Sequence, residues 1–309
     1  MVAPAPVFIV NHLSERVARK GSVLESIAPD CKASLFSDNI FDNLDKVIQT
    51  TVQNKQNWVF IEGGDGTAQG VITAFMRAYQ KKDLPCFTLI PGGMTNQVAG
   101  VIGLKSRRSK DVLKLLQTGG KVEKHALLNV NPCGSNDAIG QVGFLFSTGA
   151  IPMITEYTKS KLHSRGIGGT LAVIGGILKG VKGRESDIIT STDISIKVEG
   201  KTIKSSHLGT VATTLPSIML GLDPFWEQSG KGDIKLTLAH SESKKLLSNI
   251  FSLWCGNHNK DRQSDGLESL RSKRVDFNYN GPVVLDGETL NLLGPDFMLS
   301  TTQKVTFLC

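Results

Sequence analysis

The 309-residue sequence is poor in aromatic residues and cysteine and has no long apolar run. Aromatic residues make up only 6%, so the basic segments lack the interleaved rings on which nucleic-acid bases stack, and nucleic acid is not an expected partner. No apolar run is long enough to span a bilayer, and residues 1–10 lack the pattern of a signal peptide. The five cysteines are dispersed and odd in number, which argues against a disulfide framework. We therefore expect a cytoplasmic protein.

Several common catalytic motifs are also missing. Neither Gly-x-x-x-x-Gly-Lys-Ser/Thr nor Gly-x-Ser-x-Gly occurs, which excludes P-loop and α/β-hydrolase chemistry in their usual forms. Cys255 and His258 have the spacing of two zinc ligands, but no second pair lies at a suitable distance. The glycine run at 166–169 lacks the third glycine of a dinucleotide fingerprint, so we interpret it as a turn joining two helices.

The chain does carry an excess of basic residues. Lysine and arginine number 35 against 28 aspartates and glutamates, a formal net charge of +7, which favours acidic partners such as a nucleotide or an anionic lipid surface. Each basic cluster taken alone is typical of a solvated face or a helix end. The clusters lie at 105–110, 159–165, 179–184 and 271–274.

One stretch, residues 58–67, organises the rest of the sequence. Its apolar run ends in Gly63-Gly64-Asp65-Gly66-Thr67, and an apolar pattern with helical spacing follows over 68–82. This order predicts a buried strand, a turn and a helix. The glycines expose backbone N–H groups and the helix adds its unpaired first amides, an arrangement that suits phosphate. The alternative is a tight turn in which Asp65 or Thr67 only caps a helix.

A second apolar run, 86–90, also ends in a glycine turn, Pro91-Gly92-Gly93. Successive parallel strands place such turns at one carboxyl edge of the sheet, where α/β proteins bind ligands. The alternation of elements predicts an α/β domain with a parallel sheet and covering helices over residues 1–130. Its other predicted elements are strands at 7–10 and 33–36 and helices at 15–27, 40–53, 95–104 and 111–116.

From residue 131 onward short strands separated by turns predict a mainly antiparallel β-sandwich. A helical hairpin interrupts them at 153–161 and 170–179. We expect this second domain to span 131–292 and the segment 293–309 to pack back onto the first domain. The predicted strands lie at 139–146, 193–198, 203–213, 234–239, 275–279 and 283–285.

The two glycine motifs, Asn96 and the run Leu285-Asp286-Gly287-Glu288 resemble the diacylglycerol kinase catalytic-domain family, which includes bacterial lipid kinases and the sphingosine and ceramide kinases. The first motif is shared with NAD kinases. The resemblance covers nearly the whole chain and is weak in the middle. It implies an ATP- and Mg²⁺-dependent kinase that phosphorylates a diacylglycerol-like or sphingoid lipid at a membrane surface. Two alternatives stay open: an NAD-kinase-like nucleotide kinase, and a catalytically weakened member that binds lipid or nucleotide as a regulatory module.

The resemblance also implies roles for particular residues. Asp65 would orient Mg²⁺ or the transferring phosphate, Asp286 would be the general base on the lipid hydroxyl, and Glu288 would support it or orient a metal. From its local sequence alone, 286–287 reads equally well as a hairpin turn. The residues implied to cradle the nucleotide are Asn11, Gly63, Gly64, Gly66, Thr67, Gly92, Gly93, Thr95 and Asn96.

The sequence departs from the family pattern at several places. In the loop after the first strand Asn11 and Ser14 match, whereas His12 and Glu15 differ. In the second glycine turn the order Met94-Thr95-Asn96 shifts the hydroxyl by one position, and Gln97 replaces an acidic residue. At 229–233, Asp233 alone is kept from the motif of a structural metal site.

An apolar segment with two prolines, residues 215–226, fits neither a regular helix nor a strand. One interpretation is a buried loop that packs on the second domain. The other is a membrane-binding loop that inserts Ile218, Met219, Leu220 and Trp226 into an anionic bilayer surface beside the basic clusters. The second interpretation predicts a peripherally membrane-associated protein.

Overall fold

The computed structural model describes residues 5–79, 83–94, 96–135, 137–149, 191–218, 223–226, 230–242, 249 and 265–309. The chain divides into two compact units, Met1–Ala126 with Gln303–Cys309, and Leu127–Thr302. The predicted helical hairpin at 153–179, the glycine run at 166–169 and the pair Cys255 and His258 lie outside the described residues.

The first unit is built on a parallel sheet covered by helices. Strands β2, β1, β3 and β4 lie side by side in that order and pair in parallel, which confirms the predicted α/β fold. The strands are β1 (Val7–Val10), β2 (Ser34–Phe36), β3 (Trp58–Gly63), β4 (Cys86–Pro91) and β5 (Val122–His125). The helices are α1 (Glu15–Lys20), α2 (Val23–Cys31), α3 (Leu44–Gln53), α4 (Asp65–Tyr79), α5 (Gln97–Ile102) and α6 (Ser109–Thr118).

The apolar runs in the sequence become the central strands because helices cover them. Every residue of β1 is buried, and Phe8 packs edge-on against Phe60 of β3 with ring centroids 5.3 Å apart. Leu24 of α2 and Val112 of α6 join the same apolar cluster. Packing of this cluster fixes the position of β1 relative to β3. It thereby also fixes where the loops after these strands begin.

The helix predicted over 15–27 is wrong as a single element, because the chain breaks between α1 and α2. Gly21 has a φ of 75°, a conformation that ends α1. The hydroxyl of Ser22 then accepts the backbone N–H of Glu25 and caps α2. The glycine and the cap residue are both visible in the sequence, but the apolar spacing runs through them.

The second unit is a large antiparallel sheet, as predicted. Strand β10 joins its parts: residues 201–207 pair with β9, and 209–213 pair with β8 and β11. Most of the described strands contribute to one apolar cluster, which includes Phe146, Ile196 and Phe277. The strands are β6 (Leu128–Pro132), β7 (Gln141–Gly143), β8 (Leu145–Gly149), β9 (Thr192–Val198), β10 (Lys201–Thr213), β11 (Ile234–His240), β12 (Leu267–Ser272), β13 (Arg274–Tyr279), β14 (Val283–Leu285), β15 (Glu288–Thr289) and β16 (Asp296–Thr301).

The last strand, β17 (Val305–Leu308), returns to the first unit, where it pairs in parallel with β4 and antiparallel with β5. The segment that joins the first unit begins at Gln303, ten residues after the predicted start at 293. The reason is that β16 pairs with β13 and β6 and so belongs to the second unit. Within the described residues, no helix is long and apolar enough to cross a bilayer.

His207 of β10 is fully buried, and both of its ring nitrogens have partners. Nδ1 lies 2.8 Å from the carbonyl oxygen of Thr192, and Nε2 lies 3.1 Å from Oγ1 of Thr148. Because a carbonyl only accepts, Nδ1 carries the proton and the hydroxyl donates to Nε2, which describes a neutral ring. Burial lowers the pKa of His207 from its ordinary value of 6.5, against a smaller opposing effect of the Thr192 hydrogen bond; His240 lowers it further.

We therefore predict that His207 makes stability depend on pH. Below about pH 6.5 the ring is protonated in the unfolded chain but still neutral in the folded chain, whose pKa is lower. Stability therefore decreases as the pH falls from about 6.5 towards the folded pKa. The urea midpoint should fall less between about pH 7.5 and about pH 5.5 in His207→Gln than in the wild type. Equal pH dependence of the two proteins would show that His207 does not titrate in this way.

Candidate active site

The loops that follow β1, β3 and β4 begin at the same edge of the parallel sheet. Val10 is level with Glu62, and Gly63 is level with Pro91, so all three strands end together. We call residues 11–14, 63–67 and 91–96 the loop edge. The carboxyl edge of a parallel sheet is where α/β proteins bind their ligands, because helix N-termini converge there.

Hydrogen bonds join the three loops directly. Asn11 Nδ2 donates to Oγ1 of Thr67 at 2.8 Å, and Gly64 N–H donates to Oγ of Ser14 at 3.2 Å. The N–H of Gly92 donates to the carbonyl oxygen of Gly63 at 2.8 Å. Asn11 and Thr67 therefore hold one another in place, and the three loops of the loop edge are joined by hydrogen bonds.

Three of the glycines are required by this close packing. A Cβ on Gly92 would lie 2.8 Å from the backbone nitrogen of Gly63, and a Cβ on Gly93 would lie 2.5 Å from the Cα of Gly64. A Cβ on Gly63 would meet the side chain of Thr67 at 2.6 Å. The packing of one loop on the other thus explains these glycines without a ligand.

Gly66 is different, because nothing in the part of the chain that the structure describes requires a glycine there. It is the second residue of α4, no heavy atom lies within 4 Å of where its Cβ would be, and its φ is not positive. Glycine in a helix is less favourable than alanine by about 1 kcal/mol. The missing side chain leaves open space beside the first amides of α4, which have no partner within the helix.

Asp65 binds the neighbouring helix. Its carboxylate oxygens accept the backbone N–H groups of Gln97 and Val98, both at 3.0 Å, and so cap the start of α5. Asn96 braces the same loop, because its side chain accepts the N–H of Gly93 at 2.7 Å and donates to the Gly93 carbonyl at 2.6 Å. The predicted alternative of a helix-capping Asp65 thus has a geometric basis, although the capped helix is α5 and not α4.

We predict that Asp65→Asn lowers the free energy of unfolding by about 1–2 kcal/mol, because an amide group offers one acceptor oxygen where the carboxylate offers two. Urea unfolding measures the loss. Asp38→Asn, a change of the same kind outside the loop edge, serves as the control. If Asp65→Asn is as stable as that control, the cap contributes nothing.

Sequence reasoning missed the most deeply buried ion pair of this region. Glu62, at the end of β3, is fully buried, and its carboxylate lies 2.5 Å from Nη2 of Arg107. The same carboxylate accepts the N–H groups of Val23 and Leu24 at the start of α2. Arg107 also donates to the carbonyl oxygens of Arg16 and Gly21. The pair thereby fastens the segment after β1 to the end of β3.

The other predicted acidic residues belong to the second unit. The carboxylate of Asp286 accepts the N–H groups of Phe144 (3.0 Å) and Leu145 (2.8 Å), and its own φ of 52° places it in a hairpin turn between β14 and β15. The strand predicted over 139–146 is broken into β7 and β8 at this point, because Asp286 takes these two amides. Glu288 is exposed in β15.

The predicted metal ligands are Asp65 and Asp233. Mg²⁺ is usually held by one or two carboxylates together with substrate phosphates. Asp65 has the chemistry of such a site, because it is a carboxylate at the loop edge and the first residue of α4. Asp233 is exposed, and the described residues contain no group of three or more His, Cys, Asp or Glu that could hold a metal ion. The structural metal site at Asp233 stays a prediction.

The structure brings most of the predicted nucleotide-binding set together at the loop edge. Thr95 lies outside the described residues. Two residues in and just after the first loop differ from the family pattern, and both have partners in the helices: His12 contacts Glu25, and Glu15 pairs with Arg19. The members that come together are Asn11, Gly63, Gly64, Gly66, Thr67, Gly92, Gly93 and Asn96.

The chain thus combines a parallel α/β unit, with glycine loops at its carboxyl edge, and a large antiparallel sheet. Residues 7–130 match the family model of the diacylglycerol kinase catalytic domain. This range contains the entire loop edge. The resemblance predicted from the sequence is confirmed, and the match supports a kinase.

Three solved structures from Bacillus anthracis strain Sterne share this fold. Two candidate diacylglycerol kinases match with TM-scores of 0.70 and 0.65 at 14% and 16% sequence identity, and a diacylglycerol kinase matches with a TM-score of 0.62 at 13%. Each match covers 100% of this chain and 97% or 98% of the other. No curated protein matches the sequence.

Proposed function

We propose that the protein is an ATP-dependent kinase that phosphorylates a hydroxyl group of a diacylglycerol-like or sphingoid lipid at a membrane surface. The observation that carries this proposal is Gly66. It keeps the first turn of α4 open at the loop edge, within residues 7–130, and no contact among the described residues requires a glycine there. Backbone amides at a helix N-terminus bind phosphate groups.

In this proposal the first amides of α4 bind phosphate oxygens of ATP. Asn11 holds the hydroxyl of Thr67 in place beside them. Asp65 would hold Mg²⁺ together with the phosphates while it caps α5. When bound, the ion neutralises charge on the transferring phosphoryl group.

Asp286 is the proposed general base. Backbone N–H groups of Phe144 and Leu145 fix the orientation of its carboxylate, which a positioned base requires. Its carboxylate would accept the proton of the lipid hydroxyl as phosphoryl transfer proceeds.

A second candidate function is a regulatory module that binds lipid or nucleotide without transfer. The contacts of the proposed Mg²⁺ ligand Asp65 and the proposed general base Asp286 favour this function. Each carboxylate accepts two backbone N–H groups and so already has a structural role.

A transfer assay separates the two functions. Purified protein receives labelled ATP, Mg²⁺ and vesicles containing diacylglycerol or sphingosine, with NAD as a soluble acceptor in parallel. The proposal expects labelled lipid, no labelled NADP, and loss of transfer in Asp286→Asn. Labelled NADP supports an NAD-kinase-like enzyme, and ATP binding without transfer supports the regulatory module.

The burial of segment 215–226 limits which of its residues could insert into a membrane. Leu215, Ile218 and Phe225 are buried, and Lys235 donates to the carbonyl oxygen of Pro216. The prediction that Ile218 inserts into a bilayer is therefore wrong, because its side chain packs within the second unit. Trp226 is half-buried. Met219 and Leu220, on which the hypothesis of membrane insertion now mainly depends, lie outside the described residues.

A further inference from the structure

A basic pocket lies at one end of the antiparallel sheet, apart from the residues used above. Its volume is about 420 Å³. The turn between β9 and β10, the turn between β12 and β13, and the segment before β11 form its walls. The lining residues are Lys197, Glu199, Gly200, Lys231, Ser272, Lys273, Arg274 and Asp276.

The net charge of this pocket is positive, and its three lysine side chains are accessible to a ligand. The side chains of Lys197, Lys231 and Lys273 are exposed and form no ion pair or hydrogen bond with the part of the chain that the structure describes. The two carboxylates are engaged: Asp276 pairs with Arg274 at 2.8 Å, and Glu199 accepts the backbone N–H of Lys231 at 3.4 Å. The lining therefore carries four basic side chains against two carboxylates, a net formal charge of 4 − 2 = +2.

The backbone that carries two of these lysines is closely packed. A Cβ on Gly230 would lie 2.2 Å from the carbonyl oxygen of Arg271, and a Cβ on Gly232 would lie 2.1 Å from the carbonyl oxygen of Ser272. Lys231, between the two glycines, is thus held beside Lys273. The hydroxyl of the buried Ser272 donates to the Arg274 carbonyl at 2.6 Å, which fixes the turn on the other side.

We propose that this pocket binds a phosphate group, in either a lipid headgroup or a soluble phosphate compound. Lysine ammonium groups bind phosphate as point charges, and an excess of basic side chains around a pocket of this size favours an anionic ligand. The segment 229–233, where the family pattern has a structural metal site, here adds Lys231 to the pocket. The proposal does not depend on kinase activity.

The test uses the triple variant Lys197→Gln, Lys231→Gln, Lys273→Gln. Its control is Lys46→Gln, Lys114→Gln, Lys304→Gln, which removes the same charge from exposed positions of the first unit. Binding of labelled inorganic phosphate is measured by equilibrium dialysis. Vesicle binding is measured by sedimentation with phosphatidylcholine vesicles that contain phosphatidic acid or phosphatidylserine. Matching melting temperatures establish that both variants are folded.

We expect the pocket variant to bind phosphatidic acid vesicles about a hundredfold less tightly than the control, because each lysine near an anionic surface contributes about fivefold. Loss of vesicle and phosphate binding together supports a lipid headgroup as the ligand. Loss of phosphate binding alone supports a soluble phosphate compound. Equal binding by the two variants would overturn the proposal. So would an equal loss on both anionic lipids without phosphate binding, which indicates diffuse attraction.

Discussion

Replacement of Arg107 by alanine is expected to lower the free energy of unfolding by about 3–5 kcal/mol. Glu62 is 0% exposed, and Arg107 is the cation that pairs with it. Removing one partner of a buried pair leaves the other charge without compensation in a medium that solvates it poorly. The bonds from Arg107 to the Arg16 and Gly21 carbonyls are lost as well. Urea unfolding measures the change.

The neighbouring Arg108 offers a matched control. Its side chain is 66% exposed, and it pairs with Asp111 at the surface, so Arg108→Ala should cost no more than about 1 kcal/mol. Addition of Glu62→Gln to Arg107→Ala should recover part of the loss, because the uncompensated charge is then gone. Equal stability of the Arg107 and Arg108 variants would contradict the account.

The second large effect is expected on ATP binding. Gly66→Val should weaken ATP binding tenfold or more, about 1.4 kcal/mol, because a branched side chain fills the open space beside the first amides of α4. Stability should change little, since valine and glycine differ by only about 0.4 kcal/mol in a helix. Isothermal titration and urea unfolding measure the two quantities.

Gly100 of α5 provides the comparison. It also lies in a helix with nothing within 4 Å of a Cβ, and it is exposed. Gly100→Val should leave ATP binding at the wild-type level. A similar loss of affinity in both variants would mean that Gly66 acts through the stability of the fold and not as part of a phosphate site.

The sequence predicted the first unit well because its signals are local. Apolar runs at β1, β3 and β4 were recognisable as buried strands, and the glycine turns after β3 and β4 placed the loop edge. Parallel pairing then followed from the alternation of strands and helices. These features depend on residues within a few positions of one another.

What the sequence did not predict depends on contacts between distant residues. Glu62 and Arg107 are 45 positions apart, and neither stands in a motif that indicates a pair. Asp65 caps a helix that begins 32 positions later. The bonds from Phe144 to Asp286 join residues 142 positions apart, so the break between β7 and β8 has no local cause. Only the folded arrangement brings these groups together.

The central claim is that the loop edge binds the phosphates of ATP. The most direct measurement is a crystal structure of the protein with Mg²⁺ and a non-hydrolysable ATP analogue. The account predicts phosphate oxygens within about 3.2 Å of the backbone nitrogens of Gly66 and Thr67, beside the Asn11 and Thr67 side chains. Phosphates bound anywhere else, with the first turn of α4 left empty, would contradict it.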